Sequence, residues 1–513
     1  MTATASPPAK SAVGLRSERG PVLGAIMLTT ALIALDSTVV ATAVPSVVRD
    51  VGGFSQFPWL FSAFLLTQAV TVPIYGKLAD VVGRKPMITF GVVVFVAGSL
   101  LCGIAWTMPT LIAARAIQGI GAGAILPIGM TIIGDLYSVE ERARVQGYLA
   151  SVWGTSSVVG PLTGGLFSEY VSWRWIFFIN LPLGAIALVA LSRRFKESVA
   201  HREHRIDYLG AGLLTTGCSL LILGLLEGGT AWSWGSPTSF LVLGVAIVCL
   251  GSFLLVERRA QEPVLPLWVF QRRVLVSANL VSVGVGALII GLSSYIPAYV
   301  QGVLGKGAVE AGLLLGALTM GWPIAAGLSG RVYMRIGFRD TALIGMAFGI
   351  TGAVLTATLT ERAPVWHVAA FLFLTGLGMG LCSSPVIVAI QSVVGWDRRG
   401  VVTGTNMFCR SMGSALGAAI FGAIANATLV HRFAHPPAGV TGPLPHDIDG
   451  TTHALSQHGP VAAFARDSLY AASHNVFIAL AITAALIAAA LAVLPRRTTP
   501  LVFDESVSQG AVP

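Results

Sequence analysis

Apolar runs of roughly 20 to 28 residues alternate with short charged breaks along almost the whole chain, and that spacing predicts helices long enough to cross a bilayer. About fourteen runs stand out, at 21–45, 57–76, 87–107, 109–134, 146–168, 174–192, 207–227, 238–256, 274–300, 308–329, 340–360, 364–391, 401–427 and 474–494. The first run is too long for a signal-peptide core and lacks a small-residue cleavage site, so it is expected as a retained first helix.

The basic residues give the runs a direction. With both ends placed in the cytoplasm, 24 of the 32 Lys and Arg fall inside and 6 fall outside, while Arg115 and Arg410 lie within spans. A miscounted span would invert every later loop and destroy that bias. The connector GKLADVVGRKP after the second run and GRVYMRIGFR after the tenth align on Gly76 with Gly330, Gly83 with Gly337 and Lys85 with Arg339. This weak repeat predicts two six-span bundles with extra spans between them. The expected organisation is a tail at 1–20, a first bundle at 21–193, a charged linker with two inserted helices at 194–273, a second bundle at 274–494 and a tail at 495–513. A polar stretch at 428–473 is expected to form an outer loop in the second bundle.

Composition agrees with an all-α polytopic membrane protein. Of 513 residues, 54% are hydrophobic and 11% charged, with mean hydropathy +0.78, whereas soluble domains are about 25% charged. The net charge of +9 follows from the membrane bias, so no nucleic-acid partner is expected. Cys102, Cys218, Cys249, Cys382 and Cys409 stand singly without metal spacing. His431, His435, His446, His453, His458 and His474 fall in or beside the last outer stretch with no zinc pattern, so no metal is expected. No cluster of acids, histidines or cysteines suggests an enzyme, and no G-x-x-x-x-G-K-[ST] loop is present to bind a nucleotide.

The charges that interrupt apolar runs are the candidates for chemistry. Asp36 lies about 9 residues before Pro45, hence roughly 13 Å deep, and Arg115 lies roughly 10 Å deep from the same side. Intramembrane charges face a protein interior or a wet cavity and mark function. The two can share a layer, either as a proton-exchanging acid tuned by an arginine or as a structural ion pair. Gln118 sits on the same helix face as Arg115, to touch substrate or to orient the guanidinium. Arg410, with Asn406 one turn before it, is the charge inside a span of the second bundle, and it either contacts substrate or bonds to backbone. Tyr295, Tyr299, Trp59 and Trp322 are candidates for an aromatic wall or for interfacial belts. Gly154, Gly160, Pro161, Gly164 and Gly165 remove bulk from the fifth helix, for close packing and a kink.

These motifs resemble the fourteen-span drug:proton antiporter branch of the major facilitator superfamily. GKLADVVGRKP is similar to that superfamily's loop signature through Gly76, Asp80, Gly83, Arg84 and Lys85. LDSTVVATAVPSV (Leu35–Val47) resembles the first-helix signature of the branch, RAIQGIGAG (Arg115–Gly123) the fourth-helix R-x-x-Q-G pattern, and GPLTGG (Gly160–Gly165) the fifth-helix antiporter signature. WRWIFFINLPLG (Trp173–Gly184) is also typical of the branch, while Met334 replaces the acid in the second connector. The resemblance implies neighbouring first and fourth helices, a gating connector at the cytoplasmic mouth, and export of amphipathic cationic or lipophilic compounds in exchange for protons. In that scheme Asp36 faces a central cavity, attracts substrate when ionised and releases it when protonated from outside. No cofactor beyond the proton is implied, the location is the cytoplasmic membrane, and the chain is expected to work as a monomer. The same fold also serves export of one metabolite or a self-made antibiotic, or uptake of a solute.

Overall fold

The computed structural model describes residues 14–52, 59–195, 197, 207–228, 232–260, 263–437, 459–496 and 501. Fourteen long helices account for nearly all of them: α1 Gly20–Val51, α2 Trp59–Val81, α3 Arg84–Gly103, α4 Met108–Leu136, α5 Val139–Tyr170 and α6 Trp175–Arg194. There follow α7 Tyr208–Glu227, α8 Pro237–Glu257, α9 Arg273–Ala298, α10 Ala308–Ile336, α11 Phe338–Ala357, α12 Val365–Ser392, α13 Arg399–Ala434 and α14 Pro460–Ala492. Among the described residues thirteen helices are long and apolar enough to cross a membrane. The exception, α5, is 32 residues long, about 48 Å at 1.5 Å per residue, but is more polar because it packs between other helices.

Local chemistry sets the helix starts. Thr107 caps α4 by accepting from the Thr110 N–H, and Ser138 caps α5 in a reciprocal box with Glu141. Asp207 caps α7, and Ser236 caps α8 just before Pro237. Gly83 and Gly337, the residues matched in the sequence repeat, both have positive φ, +110° and +91°, and each breaks the chain between two helices. The connectors are therefore shorter than their polarity suggests. α2 continues through Gly76 and Asp80 to Val81, and α10 continues to Ile336.

The repeat extends to packing. Within the first six helices α2 and α3 pack on α4, α1 on α5, and α6 on α1 and α3. Within the last six α10 and α11 pack on α12, α9 on α13, and α14 on α9 and α11, the same pairs eight positions later. The two sextets meet where α5 lies on α10 and α2 lies on α13, again an interchange of equivalents. The hairpin of α7 and α8 stands outside, with α7 leaning on α2 and α13.

The expected outer loop at 428–473 is narrower than polarity indicated. α13 runs on to Ala434 and α14 begins at Pro460, because helical hydrogen bonding continues past the apolar zone. An Arg432–Asp467 ion pair and an Asn475–Thr428 hydrogen bond of 3.0 Å hold these extensions together. His446, His453 and His458 lie outside the described residues, and no group able to hold a metal occurs among the described ones.

Candidate functional site

Asp36 and Arg115 meet as their sequence depths suggested. The Arg115 Nη1 donates to Asp36 Oδ2 at 2.5 Å and to Gln118 Oε1 at 2.6 Å, while its Nε donates to the Leu60 carbonyl at 3.1 Å. The guanidinium also lies 4.2 Å from the centroid of the Phe64 ring. Gln118 Nε2 donates to Asp36 Oδ1 and to Ser99 Oγ, both at 2.7 Å. Asn180 on α6 adds longer bonds to the same two acceptors, 3.3 Å and 3.2 Å. Asp36 and Arg115 are each 1% exposed, and Gln118, Asn180 and Ser99 are fully buried. Gly98 permits this closeness, since a methyl on it would lie 2.6 Å from the backbone nitrogen of Gln118.

The arrangement satisfies a buried charge, which is the condition for keeping one away from water. It also corrects the expectation that Asp36 faces a central cavity. The carboxylate is turned into the interior of the first sextet, enclosed by α3, α4 and α6, and its side chain has no exposed surface. Asn180 and Ser99 escaped the sequence reading because an uncharged polar residue in an apolar run carries no distinctive signal. Asn180 does stand as the uncharged polar residue within the WRWIFFINLPLG stretch. Its Oδ1 is buried without a hydrogen-bond partner.

A second constellation closes one end of the molecule. Asp80 accepts from the backbone N–H groups of Gly400 at 3.0 Å and Val401 at 2.8 Å, so it caps the N-terminus of α13. Asp80 thus bridges the two sextets rather than capping the third helix. The third helix is capped instead by Glu197, which accepts from the N–H groups of Arg84 and Lys85. The Arg84 guanidinium joins Asp80 at 2.8 Å, Asp135 at 3.0 Å and the Trp396 carbonyl at 2.6 Å, and stacks 3.7 Å above the Trp396 ring. Arg399 completes the clasp from α13 through Asp135 and the Gly134 carbonyl. Lys85 stays within its own sextet, donating to the Ser192 carbonyl. Gly76 does not turn the chain. It lies in α2 against Gly400 and Gly404, where a methyl would be 2.8 Å from the Gly400 oxygen and 3.2 Å from the Gly404 Cα.

The remaining candidates divide. Gly160 lets α5 approach α1, since a methyl there would lie 2.0 Å from Thr38 Oγ1, and Gly154 faces Pro323 of α10. Gly164 is buried, Gly165 borders open space, and the Pro161 side chain lies outside the described residues. Asn406 bonds to the Ala278 carbonyl, Asn279 and Ser282, tying α13 to α9 rather than joining Arg410. Arg410 has a buried Nε without a hydrogen-bond partner. Tyr299 belongs to no ligand wall: it is fully buried, donates to the Thr360 carbonyl at 2.6 Å and meets Phe477 edge to face. Tyr295 and Trp322 pack, partly buried, on the same core of the second sextet, and Trp59 is partly buried at the start of α2. At the opposite end of α1, past its apolar part, the Arg174 guanidinium and the Trp173 indole hold the Asp50 carboxyl below the usual carboxylate range.

Two six-helix sextets of matching internal packing, meeting along α2, α5, α10 and α13 with a charged clasp at one end, define a membrane transporter rather than an enzyme. The chain belongs to the Major Facilitator Superfamily, whose family model matches residues 26–418. It is 37% identical over 422 residues, 82% of each chain, to "Multidrug resistance protein 3" of Bacillus subtilis (strain 168). It is 34% identical over 414 residues, 81% of this chain and 76% of the relative, to "Multidrug transporter protein MdtP" of the same organism. "Efflux pump dotC" of Dothistroma septosporum is 32% identical over 405 residues, covering 77% of this chain and 69% of the relative. Among solved structures, the human organic anion transporter MFSD10 (TETRAN) superposes with a TM-score of 0.61 over 93% of this chain and all of its own, at 14% identity. At that identity the likeness speaks for the fold alone.

Proposed function

We propose that the protein exports amphipathic, cationic or lipophilic compounds from the cytoplasm in exchange for protons, by alternating access across the cytoplasmic membrane. The names of its multidrug and efflux relatives support the direction and the broad substrate class. The excess of Lys and Arg at the clasp end supports a cytoplasmic placement for that end and for both termini. On that placement the structure is closed toward the cytoplasm.

The observation that carries proton coupling is the Asp36 network. An ionised Asp36 suits the donors Arg115, Gln118 and Asn180, and a protonated one has an acceptor in waiting, because Asn180 Oδ1 is buried and unpartnered. A half-turn of that amide accommodates the new O–H donor, and Arg115 then loses its counter-charge. Asp36 thus couples by changing how α1, α3, α4 and α6 bind one another, without touching substrate in this conformation. One proton moving inward at about 100 mV supplies roughly 2.3 kcal/mol, about a fiftyfold gradient for a neutral solute.

Asp36→Asn strands the Arg115 charge and is expected to lower the melting temperature, yet to leave the protein inserted while abolishing uncoupler-sensitive efflux of fluorescent cationic dyes from cells. Efflux by that variant with wild-type rate and uncoupler sensitivity would remove Asp36 from the coupling step.

A further inference from the structure

The hairpin between the sextets brings together two carboxylates that have too few donors. Asp207 Oδ1 accepts from the Gly210 N–H at 2.8 Å as the cap of α7. Glu257, the last residue of α8, accepts from the Leu265 N–H at 2.6 Å through Oε1. Their other oxygens, Asp207 Oδ2 and Glu257 Oε2, are both buried without a hydrogen-bond partner. They converge beside Gly210, where an added methyl would lie 2.2 Å from the first and 3.2 Å from the second. Glu257 is only 4% exposed, so water does not relieve it. Two ionised carboxylates so placed repel, and neither is able to donate.

We propose that Asp207 and Glu257 hold one proton between them, making the inserted hairpin a proton-binding site separate from Asp36. With the proton bound, one carboxyl O–H donates to the opposing carboxylate and the pair carries a single negative charge. Its loss to water leaves two negative charges and no donor. A proton is the smallest cation that satisfies both oxygens, and no group of three or more ligands suited to a metal occurs among the described residues.

The charges facing this pair tie it to the clasp. Lys77 of α2 acts on the Glu257 carboxylate through space, and it follows Gly76, which abuts Gly400 and Gly404. Arg258 and Arg259 follow Glu257 in the chain. Asp80 is turned to the N-terminus of α13, Arg399 engages Asp135, and Arg398 lies 3.3 Å from Asp397. Since α7 packs on α2 and α13, the two helices that meet at the closed end, proton loss at the pair increases the pull on Lys77 and alters the support of that end.

The test uses the full-length protein purified in detergent, with no substrate, and so does not depend on the assignment of coupling to Asp36. Infrared difference spectra recorded across pH are expected to show a protonated carboxyl band that is lost as pH rises, is absent in Glu257→Gln, and persists in Asp36→Asn. The melting temperature of the wild type is expected to fall as that band disappears. Glu257→Gln, whose amide donates permanently to Asp207, should melt at the wild-type low-pH temperature across the range. Asp207→Asn provides the same amide-to-carboxylate contact from the other side should the first variant not fold. A band unchanged in both variants, or none in the wild type at any pH, overturns the proposal. So does a rise in melting temperature with added magnesium that requires both carboxylates.

Discussion

Arg115 is held by one carboxylate, one amide oxygen, one carbonyl and one aromatic face, with 1% of its surface exposed. Removing one partner of a buried ion pair strands the other charge, at a cost of about 3–5 kcal/mol, far above the loss of the pair itself. Arg115→Leu is therefore expected to lower the melting temperature sharply in detergent, and adding Asp36→Asn should restore most of the loss. Equal stability of the single and double variants would show that the carboxylate finds another partner. Asp36 and Arg115 were legible in the sequence because a charge inside an apolar run is costly and therefore conspicuous, and Gln118 was legible through its place one turn after Arg115. Asn180 and Ser99 were not: Asn180 matters only through partners 144 and 81 residues away in the chain, and Ser99 through side chains on two other helices. The aromatic candidates misled for a related reason: the ring of Tyr299 reads the same in sequence whether it lines a cavity or fills a core.

At the scale of helices, what the glycines do depends on what lies opposite. Gly160 faces Thr38, whose hydroxyl lies within hydrogen-bond reach of the Ala34, Leu35 and Ser156 carbonyls, one of which accepts its proton, and so has little freedom to withdraw. Gly165, in the same motif, has nothing within 4 Å. Gly160→Ala is expected to cost about 1–3 kcal/mol by forcing α1 and α5 apart, whereas Gly165→Ala should leave the melting temperature close to wild type. Similar losses for both would mean that the motif acts through helix bending rather than through this contact. Helix number and order were legible from apolar length, but helix ends were not. Hydropathy follows the thickness of hydrocarbon, while backbone hydrogen bonding continues for as long as caps and ion pairs support it, as at Val81, Ala434 and Pro460.

Across the whole molecule, the connector repeat in the sequence corresponds to matching glycine breaks and matching helix pairs, yet the charged clasp forms at the first connector, while the second reaches the other sextet through the Tyr333 hydroxyl, which donates to the Val139 carbonyl at 2.8 Å. Where Asp80 reaches α13, the corresponding Met334 is exposed, and nearby Arg339 and Arg496 make only long contacts with Asp340. The closed end therefore depends on a carboxylate at the N-terminus of α13. Such a contact is worth up to about 2 kcal/mol, or a factor of about 30 in a two-state ratio. Asp80→Asn should shift spin-label distances between the clasp ends of α2 and α13 toward longer values, while dye export slows. An unchanged distance distribution would show that Arg84 and Arg399 suffice to close that end.

Behind the charges at that end, Gly76, Gly400 and Gly404 press backbone against backbone with no side chain between them. A seal of this kind has no partial setting, because a bare main chain offers nothing to trim. Any side chain placed at Gly76 acts as a doorstop, and a leucine there would be the simplest means of capturing the opposite, inward-opened shape for imaging.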